Sequence, residues 1–187
     1  MVFSKQTKFI LAIATQAAII FAIIIFKLAV LTSGTDVLLR IMPLDPRDPL
    51  RGDYLTFQYE ISNPDSYLFA DPQIRSGDTV YVVLWKSGQY WGAQKVQKNK
   101  PLDNQTYIKA KVASGGLGDR TDLLPSQGPK PSSIHLVYGL EEYYVPEGKG
   151  SALNLWTGNN KAFARVMVDE DGNAVLKQVY LDGKPWP

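Results

Sequence analysis

From Phe9 to Phe26 the chain reads FILAIATQAAIIFAIIIF, eighteen residues with no charge and only Thr15 and Gln16 polar. A helix crossing the hydrocarbon of a bilayer needs about 20 apolar residues, and Leu28–Leu31 bring the stretch to that length. Lys27, near its outer end, can run its aliphatic stem along the helix and leave its ammonium among headgroups. A cleaved signal peptide has a shorter apolar core followed by small residues at the cut. Here the core is long, and Lys27-Leu28-Ala29-Val30-Leu31 offers no such site. The segment 1–34 therefore reads as an uncleaved signal anchor that spans a single time at about residues 9–31. Residues 35–187 are left as the folded part.

Charge is divided along the same line. Residues 1–34 hold Lys5, Lys8 and Lys27 and no acid, and the rest of the chain sets 17 basic residues against all 18 acids. The mild excess of positive charge thus belongs to the anchor region, and no nucleic-acid partner is expected. Lysine and arginine are nearly balanced across the span, since Arg40, Arg47 and Arg51 follow it closely. A short N-terminal tail usually stays inside, so the expected placement is the cytoplasmic membrane, with the N-terminus inside and residues 35–187 outside. The chain has no cysteine, which removes disulfides and thiolate metal sites.

Beyond Ser33-Gly34-Thr35, a short hinge, alternation of period two recurs. Val37, Leu39 and Ile41 alternate with Leu38, Arg40 and Met42, and Leu55, Phe57, Tyr59 and Ile61 alternate with polar neighbours. Thr79–Trp85 is apolar on both faces, as a central strand would be, and Lys86–Gln89 turns it into Tyr90–Gln97. Further strands are expected at Tyr107–Val112, Ile134–Tyr138, Ala162–Val168 and Ala174–Leu181, the last two joined through an Asp171-Gly172 turn. Only Gly150–Thr157 resembles a short helix. The expected fold is mainly β: one N-terminal transmembrane helix, then a β sandwich or partly open β barrel.

The densest polar stretch is Pro43–Ile61, PLDPRDPLRGDYLTFQYEI. Prolines at 43, 46 and 49 stiffen it, and a stiff loop presents charged groups with little ordering entropy to lose on binding. Asp45, Arg47, Asp48, Arg51, Gly52, Asp53, Tyr54 and Tyr59 are the candidate partner-binding residues. The competing reading is scaffold, in which Asp and Arg pair with each other and with loop amides, and Tyr59, on the apolar face, is core. Arg51-Gly52-Asp53 is too short to signal adhesion.

The run Gly52-Asp53-Tyr54-x-x-Phe57-x-Tyr59 resembles the signature of the bacterial GDYXXLXY proteins, with Phe57 where the signature has leucine. The resemblance extends through Asp45–Asp48, Gly77–Val82, Tyr107–Lys109 and Tyr138–Gly148. It implies a membrane-anchored bacterial protein of uncharacterised molecular function, of a kind encoded beside, or fused to, multi-pass membrane proteins, and so an integral membrane partner is expected. It names no catalytic residue, cofactor or metal.

Other constellations are weak. His135 is the only histidine, and no spaced carboxylate or cysteine accompanies it. Gly148-Lys149-Gly150-Ser151 lacks the spacing of a phosphate loop. Trp85, Tyr90 and Trp91 could stack on sugar or peptide, although aromatic pairs across a hairpin are the commoner use of such residues. One enzymatic alternative stands. Asp71–Val82 resembles the strand start of bacterial signal peptidases, and Tyr107-Ile108-Lys109 resembles the strand that carries their lysine base. In that alignment the nucleophilic serine falls at Phe69, which has no hydroxyl; Ser62, Ser66 or Ser76 would have to replace it. The functional expectation is a non-enzymatic binding or accessory module of the cell envelope, with a serine–lysine hydrolase as the alternative.

Overall fold

A computed structural model describes residues 4–43, 54–102, 104–115, 134–144 and 162–186. Helix α1, Lys5–Ser33, begins at Ser4, whose hydroxyl accepts the amide of Thr7. Its 29 residues reach about 43 Å at 1.5 Å per residue, more than the roughly 30 Å of a bilayer's apolar core. Two of its threonines bond back to the helix backbone: Thr15 donates to the Leu11 carbonyl and Thr32 to that of Leu28. Apolar side chains are exposed on every side of the helix. Among the described residues it is the one helix long and apolar enough to cross a membrane, a property that anchors and signal sequences share.

Two antiparallel sheets follow, each curled into half a barrel. The larger is built from β1 (Thr35–Pro43), β2 (Tyr54–Tyr59), β7 (Glu142–Tyr144), β8 (Ala162–Val168), β9 (Ala174–Leu181) and β10 (Lys184–Trp186), in the order β10-β9-β8-β1-β2-β7. The smaller contains β3 (Thr79–Ser87), β4 (Tyr90–Gln97), β5 (Tyr107–Ser114) and β6 (His135–Val137), in the order β4-β3-β5-β6. As expected from its two apolar faces, β3 is central. The alternating residues Val37, Leu39 and Ile41 of β1 meet Val80, Val82 and Leu84 of β3 in one core with Ile108, Leu136, Ala164 and Val166.

Three elements differ from the sequence expectation. β2 stops at Tyr59, because the Tyr59 amide donates to Ser62 Oγ and the chain turns into a 3-10 turn at Glu60–Ser62. Ile61 stays in the core from that turn. β7 and β10, three residues each, were not foreseen; Pro185 is tolerated because β10 is an edge strand. The helix expected at Gly150–Thr157 lies outside the described residues.

Two joints hold the architecture together. The β8–β9 turn, Asp169–Asn173, crosses to the smaller sheet where β6 leaves β5 uncovered. There the Gly172 carbonyl accepts the Lys109 amide at 2.9 Å, and Tyr107 donates to the Glu170 carbonyl at 2.5 Å. Gly172 has φ +78°, and a Cβ on it would meet the Tyr107 ring at 2.8 Å. The second joint is at Gly34, which the sequence suggested was a hinge. Its backbone is ordinarily extended, but a Cβ there would lie 2.6 Å from the Val30 carbonyl oxygen and 3.0 Å from both N and O of Val168. Val30, in the last turn of α1, is only 2% exposed. The helix therefore ends inside the packing of β8 and β9, as a tight joint.

Candidate functional site

The motif divides between described and undescribed residues. Asp45, Arg47, Asp48, Arg51, Gly52 and Asp53 lie outside the described part. The residues that flank them are placed: Pro43 ends β1, and the Tyr54 backbone pairs with Tyr144. β1 leaves α1 at Thr35 and runs its full length to Pro43, so the motif's flanks stand roughly 26 Å from the helix end at 3.3 Å per residue. Ala162, at the start of β8, lies at that same end, since β8 runs antiparallel to β1 from Phe163 opposite Arg40.

The described half of the motif is built into the core. Phe57 and Tyr59 are buried, with their rings edge to face at 5.6 Å. Tyr59, fully buried, donates its hydroxyl to the Leu140 carbonyl at 2.7 Å. Tyr138 makes the reciprocal bond, donating to the Ile61 carbonyl at 2.6 Å, and the two rings meet edge to face at 6.1 Å. The β2 end and the Tyr138–Leu140 segment are thus strapped together twice. Gly139, at φ +74°, lets the intervening turn form, and the Glu141 carboxylate closes it by accepting the amides of Tyr138 and Leu140. Burial, and then the charge of Glu141, hold the phenols of Tyr59 and Tyr138 well above the ordinary tyrosine range. They are donors held in place.

The Ser76-Gly77-Asp78 turn leads into β3. Gly77 has φ +89°, and Asp78 accepts the Arg75 amide at 2.8 Å and the Lys98 ammonium at 2.8 Å. The Lys98 hydrogen bond is the main reason the Asp78 carboxyl is held below its usual range.

The residues of the serine–lysine alternative are dispersed. Lys109 Nζ donates to Asn173 Oδ1 at 3.2 Å. Ser62 Oγ is buried against the Tyr59 amide, Ser76 donates to the Ala113 carbonyl, and Phe69 bridges Val96 beside the core. Among the described residues no serine hydroxyl bonds to Lys109. His135, half-buried on β6, shares a hydrogen bond with Asn63 at 3.0 Å.

A different site is assembled where the β3–β4 hairpin comes alongside β1. The aromatic residues of that hairpin do not pair across it: Trp85 stands opposite Gly92, Lys86 opposite Trp91 and Ser87 opposite Tyr90. Tyr90 instead packs against Phe163 at 5.8 Å, under the Arg40 guanidinium at 4.5 Å. A groove of about 380 Å³ opens between these residues and the turns after β2, lined by Arg40, Glu60, Asp65, Tyr67, Trp85 and Trp91 among others. Tyr67 is 79% exposed and Trp85 51%. Glu60 lies 3.8 Å from Arg40, while Asp65 caps no amide of the turn that follows it. Sequence reading singled out the hairpin aromatics but had no means of joining them to Arg40, Asp65 or Tyr67.

The class these features define is a two-sheet β protein, locked to an apolar helix of membrane length and carrying an aromatic groove with charged margins. The chain belongs to the GDYXXLXY protein family, whose model matches residues 16–179, from the middle of α1 into β9. No curated protein and no solved structure matches it.

Proposed function

We propose that this chain is a non-enzymatic, membrane-anchored binding module of the bacterial cell envelope. In this reading α1 stays attached and spans the cytoplasmic membrane once, with the N-terminus inside and residues 35–187 outside. The observation that carries it is the Gly34 joint. Cleavage near Ser33 would take Val30 out of the β8–β9 packing and leave an apolar gap where α1 ends. An anchor held this way gives the β domain one orientation relative to the bilayer. The described flanks of the motif, Pro43 and the Tyr54 backbone, would then sit at the end away from the membrane, and the aromatic groove on the side. Those surfaces would serve an integral membrane partner with a region outside the bilayer.

The test is extraction of the intact chain from membranes, with its N-terminus and its associated proteins identified by mass spectrometry. We expect the apolar segment to be retained, and an integral membrane protein to be recovered less well with Trp85→Ala or Tyr67→Ala. A mature N-terminus near Ser33 would remove the anchor. Labelling by serine-reactive probes that is lost in a folded Lys109→Ala variant would turn the reading to hydrolase.

A further inference from the structure

We propose that the aromatic groove receives a proline-rich segment in the polyproline II conformation, with a basic residue next to the prolines. This assignment rests on the binding-module reading and specifies the partner's chemistry. Among the described residues beyond α1, the large hydrophobic side chains left most exposed are Met42, Tyr67, Trp85 and Leu102, and two of these four line the one groove. The Trp85 indole lies beside Gly92 of β4, where a Cβ would stand in ordinary contact, 3.4 Å from Nε1. The result is a flat apolar platform of the kind on which prolyl rings stack.

Hydrogen-bonding capacity narrows the ligand. The indole N–H groups of Trp85 and Trp91 and the hydroxyls of Tyr67 and Tyr90 have no hydrogen-bond partner among the described residues. Indole N–H groups only donate, so a matching ligand must bring acceptors. A polyproline II chain does so: its carbonyls make no bonds within the chain, its prolines have no N–H to leave unpaired, and it repeats its face every third residue, about 9 Å. A glycan brings hydroxyl donors that need acceptors in return. Two carboxylates line the groove: Glu60 stands 3.8 Å from Arg40, and Asp65 alone has no ion-pair partner among the described residues. That single free carboxylate suits one lysine or arginine beside the prolines.

The experiment uses the full-length chain in lipid nanodiscs, titrated calorimetrically with a synthetic peptide of four Pro-Ala-Lys repeats. Comparison ligands are the same peptide with Asp for Lys, the same with Ala for Pro, and a hexamer of N-acetylglucosamine. We expect saturable binding of the first peptide, at least tenfold tighter than that of the other three. Trp85→Ala and Tyr67→Ala should each weaken it at least tenfold with an unchanged unfolding temperature, whereas Leu102→Ala should leave it as it was. Because Tyr67 is mostly exposed, its variant tests the groove even if Trp85→Ala misfolds. Asp65→Asn should narrow the preference for Lys over Asp. Equal binding of the peptide without proline would overturn the proposal. So would Trp85-dependent binding of the saccharide alone, which would keep the groove as a site and replace its ligand. If none of the four binds, the polyproline assignment falls, while Trp85-dependent recovery of a membrane partner would still uphold the binding module.

Discussion

Tyr59→Phe removes one oxygen from the signature tyrosine and keeps its ring. The edge-to-face contacts with Phe57 at 5.6 Å and Tyr138 at 6.1 Å survive the change, so no cavity term enters. What is lost is the 2.7 Å hydrogen bond to the Leu140 carbonyl, at a residue that is itself buried. A neutral hydrogen bond contributes about 1 kcal/mol net, and a buried acceptor left dry costs about 1–3 kcal/mol. A destabilisation of about 1–2 kcal/mol follows, a fall in unfolding temperature of roughly 3–6 °C for a chain of this size. Tyr138→Phe, which deletes the reciprocal bond to Ile61, should cost a similar amount. Both bonds hold the same crossing, so the double variant should depart from additivity by about 0.5 kcal/mol or more. The assay is urea unfolding of the full chain in micelles, followed by near-ultraviolet circular dichroism. If Tyr59→Phe leaves stability within about 0.5 kcal/mol of the parent but abolishes partner recovery, the strap argument is wrong and the hydroxyl belongs to recognition.

Gly34→Ala keeps an allowed backbone but forces a methyl group against the Val30 and Val168 backbones. An overpacking cost of about 1–3 kcal/mol is expected, read as faster hydrogen exchange at the β8 end and new proteolysis between Ser33 and Thr35; unchanged protection would make the joint a hinge after all. The raised phenols of Tyr59 and Tyr138 give a test in alkali. A folded-state pKa above the unfolded value of about 10 contributes stability that is fully present below that value and is lost as pH rises through the folded one. Tyr59 and Tyr138 should therefore ionise only together with unfolding, read as phenolate absorbance lost from the alkaline transition in the Tyr59→Phe and Tyr138→Phe variants, and ionisation of either phenol in the folded chain near the unfolded value would refute the burial argument.

Much of the strand plan was legible because a half-buried strand repeats its environment every second residue. Ala162–Val168 and Ala174–Leu181 match the observed β8 and β9, and the Asp171-Gly172 turn lies between them as read. Tyr59 could be placed on the apolar face by the same alternation, and its burial bears out that placement. β7 and β10 were not legible, since three residues are too few to show a period and each forms only against a neighbour already in place. The joint at Gly34 was also invisible, because its dihedrals are ordinary and the reason for glycine is the approach of Val168, far along the chain. The groove belongs with these. Trp85, Tyr90 and Trp91 are marked in the sequence as a cluster, but Arg40 comes from β1 and Tyr67 from a turn after β2. Hydropathy, alternation and turn chemistry are local, so the chain alone determined one membrane-length helix, a β domain and most of its strands. Which side chains share a surface depends on how distant strands pair and curl, and only the tertiary structure decided that.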